Sequence, residues 1–191
     1  MNETVDTATR IMDVALKLMQ QQGYNAFSYA DIAEEVKIRK ASIHYYFPGK
    51  VDLAQAVLIR YRSVVNAGLK HLLSLEVDAR GKLEEVVEFF GRLLRDNNRV
   101  CLCGALSAEF PGLPEVLQVE IQGYFNDLEK GLSQVLQEGV NAGLFKLSGS
   151  IEEEARTLVA GLEGAMLLAR SFNDPARMVA MGRQMIKHLG C

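Results

Sequence analysis

The 191-residue chain predicts an all-α protein of about nine helices: a three-helix N-terminal helix-turn-helix domain followed by a C-terminal helical bundle. Three observations carry this. Apolar residues recur at spacings of three and four along most of the length, the period of an amphipathic helix. Pro occurs only four times, and it is the residue that helix interiors tolerate least. No segment alternates apolar and polar residues as a half-buried strand does. With 49% apolar residues, the chain can bury a sizeable core, which excludes intrinsic disorder.

The first helix is expected over residues 4–22. Ile11, Val14, Ala15, Leu18 and Met19 form its apolar stripe, and Gly23 supplies a left-handed stop. Residues 24–27 connect. Ser28 caps a short second helix to residue 36, with Asp31 three positions on as a relative of the capping box. Residues 37–39 make a turn, and a third helix runs over 40–46 until Pro48-Gly49 breaks it. Lys50 opens a long helix through Leu53, Ala54, Val57, Leu58 and Tyr61, to about residue 75, with Gly81 marking the next break. Further helices are expected over 82–96, 100–110, 115–142, 151–172 and 175–189. Ser150 and Asp174-Pro175 begin the last two, and acids 152–154 favour the dipole of the former.

The stretch SYADIAEEVKIRKASIHYYF, residues 28–47, is the most informative. Its first helix buries Ile32, Ala33 and Val36, and its second buries Ile43 and Phe47 at i, i+4. Lys40, Ser42, Tyr45 and Tyr46 are then left on the outer edge. A short helix with one apolar edge and one polar, aromatic edge is what the DNA major groove admits. Charge distribution agrees with this. The net charge is −3, yet residues 36–63 hold six basic residues (Lys37, Arg39, Lys40, Lys50, Arg60, Arg62) against Asp52, a local +5. Residues 64–191 carry −4. A basic patch on an acidic body suits a protein that meets phosphates at one end only.

Other classes find little support. The longest stretch without a charge, residues 18–30, holds three Gln, a Gly and an Asn, too polar and too short to span a bilayer. No basic-then-apolar leader opens the chain, and three Cys lack framework spacing, so a cytoplasmic protein without membrane partners is expected. Nucleophile-elbow, zincin, phosphate-loop and dinucleotide motifs are all missing, so no enzyme and no cofactor are expected. His44, His71 and His188 have no ligand-spaced partner, and Cys101 and Cys103 point to opposite sides of a helix, so no metal site is expected.

Residues 4–62 resemble the N-terminal DNA-binding domain of the tetracycline-repressor (TetR/AcrR) family of one-component bacterial regulators. The matching segments are IMDVALKLMQQQGYNAFSYADIAEEV and KASIHYYFPGKVDL. The second, an aromatic cluster followed by Phe, a turn and Lys, is the more specific. Lys37 stands where the family usually has Gly, and His44 where it usually has Tyr. The implied layout is a DNA-binding domain over residues 1–48, running on to about 62, and a ligand-binding and dimerisation domain over 49–191. Ser28 and Tyr29 open a helix whose free N–H groups can hold a phosphate. Lys40, Ala41, Ser42 and Tyr45 are placed to read base edges. The resemblance assigns Tyr46 and Lys50 to phosphates; alternatively, one of Tyr45 and Tyr46 belongs to the core.

The resemblance also implies a homodimer on a palindromic duplex operator, released by a small, largely apolar effector. The candidate dimer surface lies on the last two helices: Leu158, Gly161, Leu162, Gly164, Ala165, Met178, Met181 and Met185. The candidate effector residues are Phe89, Phe90, Cys101, Phe110, Tyr124 and Phe125. Arg99 beside the thiols raises the question of an oxidant- or electrophile-sensing role for Cys101 or Cys103, although buried small residues are the favoured reading. The expected function is a DNA-binding repressor. The alternative is a helical small-molecule binding or thiol-based sensor protein with little DNA affinity.

Overall fold

The computed structural model describes residues 6–190. Among them are nine α-helices and no strand: α1 (Thr7–Ala26), α2 (Tyr29–Val36), α3 (Lys40–Tyr46), α4 (Lys50–Ser74), α5 (Ala79–Arg95), α6 (Leu102–Ser107), α7 (Glu115–Asn141), α8 (Ile151–Ser171) and α9 (Pro175–His188), with a 3-10 turn at Phe110–Gly112. The all-α expectation therefore holds. The expected helix start at residue 4 lies outside the described residues. The helices group into two compact units. One comprises residues up to Ser63 together with Leu102–Gln122, and the other comprises Val64–Cys101 together with the chain from Gly123 onward. Two of the three divisions fall inside α4 and α7, and the third falls between Cys101 and Leu102, at the start of α6.

In unit one, the i, i+4 stripe Ile11, Ala15 and Met19 of α1 is fully buried with Ile32 of α2 and Ile43 of α3. Phe27 and Phe47, just outside helix ends, fill the space between. The Arg10 guanidinium donates to Val36 O at 2.8 Å, satisfying a carbonyl at the C-terminus of α2 that has no helical partner. Lys37 closes that helix in the left-handed region (φ 59, ψ 49), with its N–H and that of Ile38 directed at Ala33 O. Glycine would adopt this conformation freely, whereas lysine incurs a cost of about 1 kcal/mol. Gly23 interrupts α1 with φ 85. α6 packs on α1 within this unit.

In unit two, α5, α8 and α9 pack together. Two glycines allow the close approach of α5 and α9. A Cβ on Gly91 would meet Val179 at 2.8 Å, and one on Gly182 would meet Val87 at 2.6 Å. Each helix thus receives a valine of the other in a glycine gap. α5 starts earlier than its sequence suggested, because Asp78 caps it by accepting from Gly81 N at 2.8 Å. Gly81 lies inside the first turn and does not break the chain. Lys82 is buried, with its ammonium donating to Leu73 O at 3.0 Å and Glu138 at 2.6 Å. α6 is shorter than the expected 100–110 helix. It ends at Ser107, whose hydroxyl donates to Cys103 O, and Pro111 turns the following residues into the 3-10 form. Among the described residues no helix is long and apolar enough to cross a membrane.

Candidate nucleic-acid interface

α2 begins with a complete capping box. Asp31 accepts from Ser28 N at 2.6 Å and from Ser28 Oγ at 2.9 Å, while Ala30 N donates to Ser28 Oγ at 3.2 Å. These hydrogen bonds from Ser28 hold the Asp31 carboxyl below its ordinary pKa. The Ser28 hydroxyl is thereby engaged in the cap. Tyr29 is buried, and its hydroxyl donates to Phe47 O at 3.0 Å, tying the start of α2 to the end of α3. Burial, with the nearby charge of Asp52 second, pushes its pKa up to about 12. The His44 ring lies 4.8 Å from the Tyr29 ring, and its Nδ1 is 3.0 Å from Pro48 O.

α3 turns its other side outward. Lys40, Ala41 and Tyr45 are exposed and Ser42 is half-buried. Tyr45 is 82% exposed, edge to face with Tyr46 at 5.1 Å. An aromatic pair left in water on a seven-residue helix forgoes the burial that would normally hold it. Neither tyrosine belongs to the core. The basic window divides in two. Arg60 pairs with Asp13 at 2.6 Å and Arg62 with Glu120 at 3.4 Å, whereas Lys37, Arg39 and Lys40, around the turn, have no ion-pair partner among the described residues. Lys50 turns inward. Its ammonium donates to Phe27 O at 2.5 Å and Asn25 O at 3.3 Å, above the rings of Tyr24 and Phe27. Burial lowers its pKa, and Glu109 opposes that. Glu109, a residue that the sequence reading passed over, accepts from Tyr24 N (2.9 Å), Asn25 N (3.0 Å) and Asn25 Nδ2 (2.5 Å). A Cβ on Gly23 would overlap its Oε1. No local spacing announces a partner this distant in sequence.

This head matches the model of tetR-family bacterial regulatory proteins over residues 11–57, and residues 79–185 match that of the tetracyclin repressor-like C-terminal domain. The chain belongs to the TetR family. A TetR-family transcriptional regulator from Agrobacterium tumefaciens superimposes with a TM-score of 0.93 at 34% identity, covering 96% of this chain and 97% of that one. A TetR regulator from Legionella pneumophila superimposes at 0.89 with 30% identity, covering 99% and 100%. The biofilm-operon negative regulator IcaR of Staphylococcus aureus is 21% identical over 182 residues, 93% of this chain and 91% of its own. This TetR-family chain is therefore a DNA-binding transcriptional regulator and not an enzyme. Proteins of the family act as dimers.

The residues expected at an effector site fall in different places. Phe90, Cys101 and Tyr124 are buried in unit two, where Phe125 is half-buried and Phe89 largely exposed. Phe110 belongs to unit one. A shallow groove of about 270 Å³ is lined by a different, polar set: Asn126, Glu129, Lys130, Ser133, Glu152 and Arg156. Cys101 and Cys103 are both buried, and Arg99 is ion-paired with Asp96. Of the expected dimer residues, Leu158, Leu162, Ala165 and Met178 are buried within unit two, Gly161 lies under Met185, and Met181 and Met185 are half-buried. Exposed apolar residues on α8 are instead Leu167, Leu168 (50%) and Phe172 just beyond its end (60%), near Gly164, where an added Cβ would meet nothing within 4 Å. Among the described residues no cluster of His, Cys, Asp and Glu is placed to hold a metal.

Unit two also holds Glu163 of α8, which sequence reading did not single out. Burial pushes its pKa up to about 7, partly offset by a hydrogen bond with the Cys101 side chain. The folded state holds this proton more tightly than the unfolded chain, so the stabilisation is complete below the ordinary glutamate range and is lost as pH rises toward 7. Raising pH from 5 to 8 is expected to lower the melting temperature, with a contribution from Glu163 on the order of 2–3 kcal/mol. A pH series of thermal melts on wild type and Glu163→Gln checks this: the variant has the flatter profile. Parallel profiles would contradict it.

Proposed function

We propose that this regulator is a homodimeric, cytoplasmic repressor that reads a palindromic duplex operator with α3 and leaves it when a small, largely apolar effector occupies the C-terminal region. The observation that carries the reading is the two-edged character of α3. Ile43 and Phe47 are buried, while Lys40, Ala41, Tyr45 and Tyr46 face water beside Lys37 and Arg39, cations without an ion-pair partner among the described residues. The chemistry fits base edges and phosphates. Lys40 donates to guanine O6 or N7, Ala41 and the Tyr45 ring lie against thymine methyl groups, and Ser42 completes the reading edge. The Tyr46 hydroxyl and the backbone N–H of Tyr29 donate to phosphate oxygens at the positive end of α2, while the Ser28 N–H stays with Asp31 in the cap. Lys50 supports them from behind by holding the carbonyls of the 24–27 connector. It serves the interface by order more than by direct charge.

A gel-shift titration of the duplex upstream of the protein's own coding region tests this. Affinity falls with salt along a slope set by several phosphate contacts. Lys40→Ala and Tyr45→Ala each cost about 1–3 kcal/mol and relax base preference. Wild-type shifts by both variants would remove α3 as the reading helix.

The dimer reading rests on the outer face of α8. Leu167, Leu168 and Phe172 stand in water around a glycine with open space above it, a surface that a symmetry-related copy covers. Leu168→Glu is expected to convert the dimer to monomers in sedimentation-velocity runs at micromolar concentration. An unchanged dimer would move the interface elsewhere.

A further inference from the structure

Glu163 is a carboxyl group that its surroundings do not satisfy. Its Oε1 is sealed from solvent and has no hydrogen-bond partner. Its neighbours on α8, Leu162, Ala165 and Met166, are buried and apolar. The groups linked to it are soft: a thiol, and through that residue a phenol hydroxyl and a thioether. The Cys101 thiol is hydrogen-bonded with the carboxyl and lies 3.3 Å from the Tyr124 hydroxyl. The Cys101 N–H donates to the Met166 thioether at 3.0 Å, a weak acceptor in place of a carbonyl. No cation is paired with Glu163 among the described residues. The residue as a whole is half-buried, but this oxygen is shut away from water, where a carboxylate oxygen without a donor or counter-charge is unfavourable. Orphaned buried polar atoms are rare enough in folded proteins that each calls for a cause, and an absent ligand group is one such cause.

We propose that Glu163 anchors the effector and that the effector is a small apolar amine bound as its ammonium. An ammonium N–H supplies both things that Oε1 lacks, a donor and a positive charge, whereas a neutral hydroxyl or amide supplies only the donor. The Tyr124 ring and the Met166 sulfur suit the flank of such a cation, since an aromatic face and a polarizable thioether both favour it. The proposal rests on the reading that this region binds an effector, and it names the class. It also offers a route to the head through the covalent chain. Cys101, hydrogen-bonded with Glu163, immediately precedes Leu102, the first residue of α6, and Glu109 follows seven residues after Leu102.

The test uses the full chain and two matched probe pairs: phenethylamine with 2-phenylethanol, and hexylamine with hexanol. Each pair differs in charge far more than in shape. Thermal shift and calorimetric titration are read on wild type and Glu163→Gln, with duplex binding followed in parallel. At least one amine is expected to bind wild type tenfold or more tighter than its alcohol, and Glu163→Gln is expected to erase that preference. If Glu163→Gln does not fold, the amine-to-alcohol ratio on wild type decides alone. Equal binding of each amine and its alcohol to wild type overturns the proposal, as does an amine preference that survives in a folded Glu163→Gln. Failure here with duplex binding intact leaves the regulator reading standing, whereas loss of duplex binding in wild type removes that reading itself.

Discussion

Beyond the break at Gly23, the N–H groups of Tyr24 and Asn25 meet the carboxylate of Glu109 instead of helical carbonyls. The Asn25 side chain adds a third donor to the same group. On the other side of this short connector, the Lys50 ammonium takes the carbonyls of Asn25 and Phe27. A carboxylate and an ammonium thus hold the backbone between α1 and α2 from both ends of its dipoles. The bonds from Tyr24 N to Glu109 and from Lys50 to Phe27 O are partly shielded from water, where a hydrogen bond to a charged group contributes roughly 1.5–3 kcal/mol; the bonds of Asn25 are exposed and contribute less. That is a large share of the 5–15 kcal/mol by which a typical domain is folded. The connector sets where α2 starts, and Tyr29, at that start, holds the end of α3 through Phe47 O. Glu109 thus holds the connector from which α2, and through Tyr29 the end of α3, is hung.

This constraint explains why Gly23 is glycine. Both its positive φ and the lack of room for a Cβ beside Glu109 Oε1 require it. It also gives α6 and the 3-10 turn a place in the function. They belong to the same compact unit as the reading head, and the chain reaches them directly from Cys101 in unit two. Under the proposal that Glu163 anchors an effector, a ligand there acts on the covalent lead into the element that holds the connector. Coupling of this kind amounts to about 1–3 kcal/mol in allosteric proteins, comparable to one or two of the bonds that Glu109 makes.

Much of the fold was legible because it is written locally. The Ile11, Ala15, Met19 stripe, the Ser28–Asp31 cap and the stop at Pro48-Gly49 are all decided within a few residues. The two-edged pattern of α3 was legible for the same reason. Long-range partners were not. Lys50 reads as a solvated cation because the carbonyls it holds lie more than twenty residues back, and Glu109 reads as an ordinary surface acid because its donors lie some eighty residues away. On α8 and α9 a leucine that faces the core and one that faces water look alike in a periodic pattern. Leu162 is buried and Leu168 exposed, and only packing separates them. Glu163 sits among apolar neighbours with nothing in its spacing to mark that one of its oxygens lacks a partner.

The most direct test of this account is the affinity of Glu109→Ala for the upstream duplex, measured by fluorescence anisotropy at fixed salt beside amide exchange at Tyr24 and Asn25. The account predicts affinity weaker by roughly tenfold or more, faster exchange at both amides and unchanged helix content. Wild-type affinity together with wild-type exchange at these amides would show that the head holds its own orientation without Glu109, and would contradict it.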